Sequence, residues 1–171
     1  LTVGNEAVGN EAVGNEAVGN EAVGNEAVGN EAVGSIAIVV AEFNMEVTSR
    51  MLEVARERSR MLNLNIVKIS KVPGTFDMPV IVDALLRRDD VDGVVTLGAV
   101  IKGQTKHDEI ISHSTARVLA DLAVKYEKPV SLGITGPGMQ ERHAFARIRP
   151  VAERAVEAVI KTGNELLKVR K

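Results

Sequence analysis

VDGVVTLGAVIKGQTKHDEI, residues 91–110, decides how the rest of the chain is read. Its first ten residues are mostly apolar and rich in valine, as a parallel strand covered on both faces requires. A polar turn then leads into DEIISHSTARVLADLAVKY (108–126), whose apolar residues recur at helical spacing. The same alternation runs along the chain. SIAIVVAEF (35–43) reads as a strand, and Asn44 as the N-cap of a helix over MEVTSRMLEVARERSRML (45–62). LNIVKIS (64–70) is a second strand, and PVIVDALLRR (79–88) a helix whose Pro79 fits only the first turn. PVSLGIT (129–135) is the fourth strand, and ERAVEAVIKTGNELLKVRK (153–171) is the clearest part of a final helix. This alternation predicts an α/β fold: a four-stranded parallel sheet with helices on both sides.

Residues 1–34 do not join that pattern. They carry the pentad GNEAV six times, from Gly4 to Val33. A period of five suits neither helix nor strand, and one Val and one Ala per unit cannot build a core. The repeat reads as a flexible low-complexity arm or an artefact of gene repetition or expression, outside a domain spanning 35–171. A stacked solenoid, or a strand added to a neighbouring subunit, is the sharper alternative.

Composition narrows the function. The chain has 171 residues, 45% of them hydrophobic, so one domain can bury a real core, filled by aliphatics because aromatics are only 2%. It contains no cysteine, which excludes disulfides and thiolate metal sites and makes a cytoplasmic location the expectation. The N-terminus lacks the basic start and apolar core of a secretion signal, and no apolar run approaches the ~20 residues of a membrane helix. Net charge is −2, but the first 34 residues hold six Glu and no basic side chain, leaving 35–171 mildly basic at +4. That balance suits a small anionic ligand. It is far from a nucleic-acid footprint, and few rings are available to stack on bases.

In a doubly covered parallel sheet, ligands bind at the carboxyl ends of the strands. Those ends carry EFN (42–44), VPGTFDMP (72–79), GAVIKGQTKH (98–107) and GITGPGM (133–139). Gly103 permits close backbone approach, Gln104 and Thr105 precede a helix N-terminus, and His107 offers a proton-transfer group near neutrality. Thr105 as a simple cap and His107 as a solvated first-turn residue explain the same string, and the string alone leaves both open. Phe43 and Phe76 are either strand-end core residues or rings for a flat heterocycle. Asp77 is either a helix cap or a site carboxylate. GITGPGM reads as a glycine–proline stop before a helix, and QERHAFARIRP (140–150) supplies Arg142, Arg147 and Arg149 as phosphate candidates. His113 and His143 have no supporting motif. No metal spacing, GxSxG, P-loop or GxGxxG is present.

Taken in order, these four strings resemble the lumazine synthase family, especially its archaeal branch. The resemblance covers 35–171 and none of 1–34. It implies a flavodoxin-like three-layer domain, assembled as a homo-oligomeric pentamer or as a sixty-subunit icosahedral shell. It also implies condensation of 5-amino-6-(D-ribitylamino)uracil with 3,4-dihydroxy-2-butanone 4-phosphate, a penultimate step of riboflavin synthesis, with no cofactor or metal. By the same resemblance, Phe43 would stack on the pyrimidine. Thr75, Phe76, Asp77, Ala99, Val100 and Ile101 would line the ring and ribityl site. Gln104, Thr105 and Arg147 would hold phosphate, and His107 would donate a proton. Leu132 stands where many bacterial members carry phenylalanine, and Asp77 where glutamate is commoner. Leu132 and Arg147 would come from the adjacent subunit. An archaeal-type riboflavin synthase and a non-catalytic cage scaffold are the competing readings, and GQTKH favours the synthase over the former.

Overall fold

The computed structural model describes residues 32–171. The reading of the repeat as an arm therefore falls, for 1–31, outside the described residues. Four strands, β1 (Ser35–Ala41), β2 (Asn65–Val72), β3 (Gly93–Ile101) and β4 (Val130–Met139), form one all-parallel sheet in the order β2-β1-β3-β4. The helices are α1 (Met45–Met61), α2 (Met78–Leu86), α3 (His107–Tyr126), a short α4 (Glu141–Ala146) and α5 (Ile148–Val169). A single 3-10 turn, Thr75–Asp77, leads into α2.

The continuous apolar character of β1 follows from its two buried faces, since successive side chains point to opposite sides. Ile36, Ile38 and Val40 pack with Val47 and Met51 of α1 and Val156 of α5. Ala37, Val39 and Ala41 pack with Val82 and Leu86 of α2 and Leu119 of α3. Each sheet face thus meets its own helix pair, giving the expected three-layer α/β architecture with β1 and β3 at its centre.

Two local expectations change. The glycine–proline stop after residue 135 is not a stop: β4 continues to Met139, with a register irregularity opposite Ala99–Ile101. β4 is one of the two edge strands, where a proline leaves no outer neighbour unpaired, so Pro137 is tolerated inside it. The body also begins slightly earlier than Ser35. Val33, the last valine of the repeat, is buried, and its N–H donates to Asn164 Oδ1 at 2.9 Å. The Asp92 carboxylate accepts from the Gly34 and Ser35 amides at 3.0 and 2.8 Å. Gly163 has no side chain because Val33 Cγ2 occupies the place its Cβ would take. Val33→Ala should therefore lower unfolding free energy by about 1–3 kcal/mol, read by chemical denaturation. An unchanged midpoint would mean the contact contributes nothing.

α2 and α3 are tied by one carboxylate. Asp83 accepts from Arg87 Nε at 2.8 Å, from the Tyr126 hydroxyl at 2.7 Å and from Lys125 Nζ at 3.3 Å. The Arg87 hydrogen bond, then that of Tyr126, holds its pKa down at about 2. A carboxylate depressed in the folded state stabilises above its unfolded pKa and loses that contribution as pH falls through the folded value. Asp83→Asn should thus lower Tm at pH 7, and its gap from the parent should close as pH drops from about 4 to about 2. A gap independent of pH would refute the charge-based account.

Candidate active site

β1 and β3 are neighbours, yet their outgoing chains turn to opposite faces of the sheet, α1 to one and α3 to the other. A crevice necessarily opens between their carboxyl ends. Here it is a cleft of about 530 Å³. Ala41 and Phe43 line it from the end of β1, Pro73–Asp77 from beyond β2, and Ala99–Ile101 from β3. Gly103, Thr105, His107, Asp108 and Ile111 close it from the following loop and α3. Of the residues singled out from the sequence, Phe43, Thr75, Phe76, Asp77, Ala99, Val100, Ile101, Thr105 and His107 therefore come together. Gln104 is exposed on the same loop but does not line the cleft.

Leu132 and Arg147 lie elsewhere in the chain. They line a second cavity of about 270 Å³, built from β4, the 136–139 segment, His143 and Arg154. Within one chain, His107 and Arg147 thus face separate spaces. Of the three candidate arginines, Arg149 is ion-paired to Glu153 at 2.8 Å and Glu57 at 3.1 Å, in a more open groove between α1 and α5. Arg142 sits against the His143 ring nitrogen at 3.3 Å. Among the described residues, Arg147 makes no ion pair or side-chain hydrogen bond. His143, set aside from sequence, turns out to share its cavity.

The cleft is shaped by side chains that hold backbone. Asn44 is left-handed (φ 58°) and, contrary to the expectation from sequence, its side chain does not cap α1. Its Nδ2 instead donates to the Ala99 carbonyl at 2.7 Å, fastening the end of β1 to that of β3, while its own carbonyl accepts the Val47 and Thr48 amides. Asp77 accepts the Gly74 amide at 2.9 Å, closing the turn after β2. Thr75 is buried beneath that turn, and its carbonyl accepts from the Thr115 hydroxyl of α3 at 3.4 Å. Gly98 has no Cβ because the Thr75 methyl fills the space.

With the backbone held this way, the remaining groups stand open. Phe43 is 71% exposed and Phe76 63%, which is costly for rings unless something covers them. α3 begins at His107 behind Lys106, and no side chain caps it, Thr105 included. Among the described residues its first amides therefore lack protein acceptors, and they suit an anion. His107 is exposed beside them. Sequence reasoning missed the tie made by Asn44 and also Asp108, a buried carboxylate whose Oδ2 accepts the Gly138 amide at 2.9 Å. The only hint of either was a polar residue at a helix start. Among the described residues, no group of three or more His, Cys, Asp or Glu is placed to hold a metal.

A four-stranded parallel sheet in this order, covered by helices on both faces and opening a crevice at its switch point, defines a flavodoxin-like α/β domain. The sequence profile of the family described as 6,7-dimethyl-8-ribityllumazine synthase matches residues 34–166, and the chain belongs to that family. A protein of that name from Sulfolobus acidocaldarius is 52% identical over 135 residues, covering 79% of this chain and 85% of the relative. One from Metallosphaera sedula is 50% identical over 131 residues (77% and 87%), and one from Staphylothermus marinus 54% over 129 (75% and 86%).

The Gly98–Thr75 contact is open to test. Gly98→Ala should push the 75–77 turn out of place and cost about 1–3 kcal/mol in denaturation experiments. Gly103→Ala, whose methyl would meet nothing within 4 Å, is the control. Equal stability of the two variants would show that the turn simply gives way.

Proposed function

We propose that this chain condenses 5-amino-6-(D-ribitylamino)uracil with 3,4-dihydroxy-2-butanone 4-phosphate to form 6,7-dimethyl-8-ribityllumazine, with the switch-point cleft as the site. The observation that carries this reading is the gathering of Phe43, Phe76, Thr105 and His107 in one crevice of a chain from this family. The open rings suit the flat pyrimidine, and Ala99–Ile101 present backbone to its edge. The uncapped amides at the start of α3, with Thr105, suit the phosphate.

The reaction needs two reactants held together and protons moved. The uracil's amine attacks the ketone carbon, and water leaves to give an imine. Phosphate is then eliminated, and the second amine closes the ring with loss of another water. Proximity supplies much of the acceleration, because a bimolecular encounter becomes intramolecular. His107, beside the phosphate end, protonates the departing oxygens and takes protons back. A guanidinium would stabilise the leaving dianion. Arg147 has no other partner among the described residues, but it faces the second cavity of its own chain.

We therefore place Leu132 and Arg147 in the cleft of an adjacent copy, so that the complete site exists only in a homo-oligomer, a pentamer or a shell of pentamers. The exposed Leu132, Phe43 and Phe76 support that assembly. A cytoplasmic location suits a chain with no cysteine, and no helix among the described residues is long and apolar enough to cross a membrane.

Lumazine fluorescence from the two substrates tests the reading. Riboflavin formed from lumazine alone would instead indicate a riboflavin synthase, and silence in both assays a scaffold. His107→Ala should lower kcat roughly tenfold or more. Arg147→Ala should mainly raise KM for the butanone phosphate, on the order of 10- to 100-fold. Co-expressing the two variants should restore part of the activity, because some sites then combine an intact His107 with an intact Arg147. Absence of any recovery in mixed oligomers would rule out a shared site.

A further inference from the structure

The segment 103–107, which carries Thr105 and His107, is exposed along its whole length. Its attachment to the body is narrow. At its start, the Lys102 amide donates to the Met139 carbonyl at 2.8 Å. At its end, Asp108 Oδ2 accepts the amide of Gly138, the residue next to Met139, at 2.9 Å. Between these bonds, apart from the Lys106 carbonyl that accepts the Ile110 amide of α3 at 3.4 Å, no residue of 103–107 hydrogen-bonds to a strand or to another helix among the described residues. The loop is thus strung between two adjacent residues of β4, and Asp108 closes it. Asp108 is 7% exposed, and among the described residues the Gly138 amide is the sole hydrogen-bond partner of its carboxylate. The bond also crosses the wall between the two cavities, since Asp108 lines the first and Gly138 the second.

We infer that Asp108 is a positioning residue for the condensation: through Gly138 it holds the first turn of α3, with the uncapped amides and His107, against the end of β4. The inference rests on the cleft being the site of condensation. A carboxylate suits the task in one respect and opposes it in another. Its charge strengthens the hydrogen bond and sits well at a helix N-terminus. The same charge repels a phosphate bound nearby. The acceptor oxygen, not the charge, is therefore what the site requires, and an asparagine in its place would still accept from Gly138. The pyrimidine-facing residues Phe43 and Ala99 lie on other elements, held by Asn44. Loosening the 103–107 loop should leave them in place.

The test is a KM and kcat comparison of the full chain with Asp108→Ala, Asp108→Leu and Asp108→Asn. Alanine should raise KM for the butanone phosphate about tenfold or more and lower kcat, while KM for the ribitylaminouracil stays unchanged. Leucine keeps the volume without an acceptor and should match alanine; it is the variant to read if alanine does not fold. Asparagine should restore both parameters to near the parent. A parallel rise in both KM values, an asparagine variant as impaired as leucine, parent-like kinetics in all three, or folding by asparagine alone would each overturn the assignment. Calorimetric binding of inorganic phosphate separates this from the wider reading. If the parent makes no lumazine, weaker phosphate binding by the leucine variant with recovery by asparagine still supports positioning. Equal phosphate binding in all variants overturns it.

Discussion

The structure depends on one constraint: β1 and β3 lie side by side with both faces buried, and their chains must leave in opposite directions. Burying Ile36, Ile38 and Val40 on one side and Ala37, Val39 and Ala41 on the other requires helices on both. Short connections cannot cover both faces and also seal the gap where they diverge. The cleft is the residue of that conflict. Its location is set by the packing of a core some distance below it.

Around the cleft, polar side chains divide into two groups. Asn44, Asp77, Asp108 and Thr115 each bond to a backbone amide or carbonyl, and together they fix the ends of β1, β2 and β3 and the start of α3. A hydrogen bond of this kind adds little net stability, but it removes freedom from loops that would otherwise sample many shapes. Among the described residues the side chains of His107 and Arg147 have no such employment, and Phe43 and Phe76 stand in solvent. Open apolar rings leave hydrophobic surface in water, while an exposed guanidinium is solvated and free to take an anionic partner. In the arrangement proposed above, substrate and a second copy would cover the rings, and the phosphate would pair the guanidinium.

Legibility in the sequence was uneven, for physical reasons. Strand and helix were readable because burial imposes a period on side chains: the run VVTLGAV and the helical spacing in 108–126 record it directly. Most cleft residues were reachable because the strand-end rule converts an element order into a place. The extension of β4 past Pro137 was not, since a proline is compatible with a strand only at an edge, and which strand is at the edge is a property of the sheet. Val33 was assigned to the repeat because its five predecessors have the same neighbours. What distinguishes it is the missing side chain of Gly163, far away in sequence.

The sequence alone determined the three-layer α/β class, the family and the four strand-end strings, because periodicity and local turn chemistry are written in consecutive residues. Only the tertiary structure decided that Asn44 bonds across elements instead of capping its own helix, that Asp108 reaches Gly138 of β4, that Gln104 stands off the cleft, and that Arg147 opens onto a different cavity from His107. Each of those outcomes turns on a distance between residues remote along the chain, and such distances exist only once the sheet has brought its strand ends together.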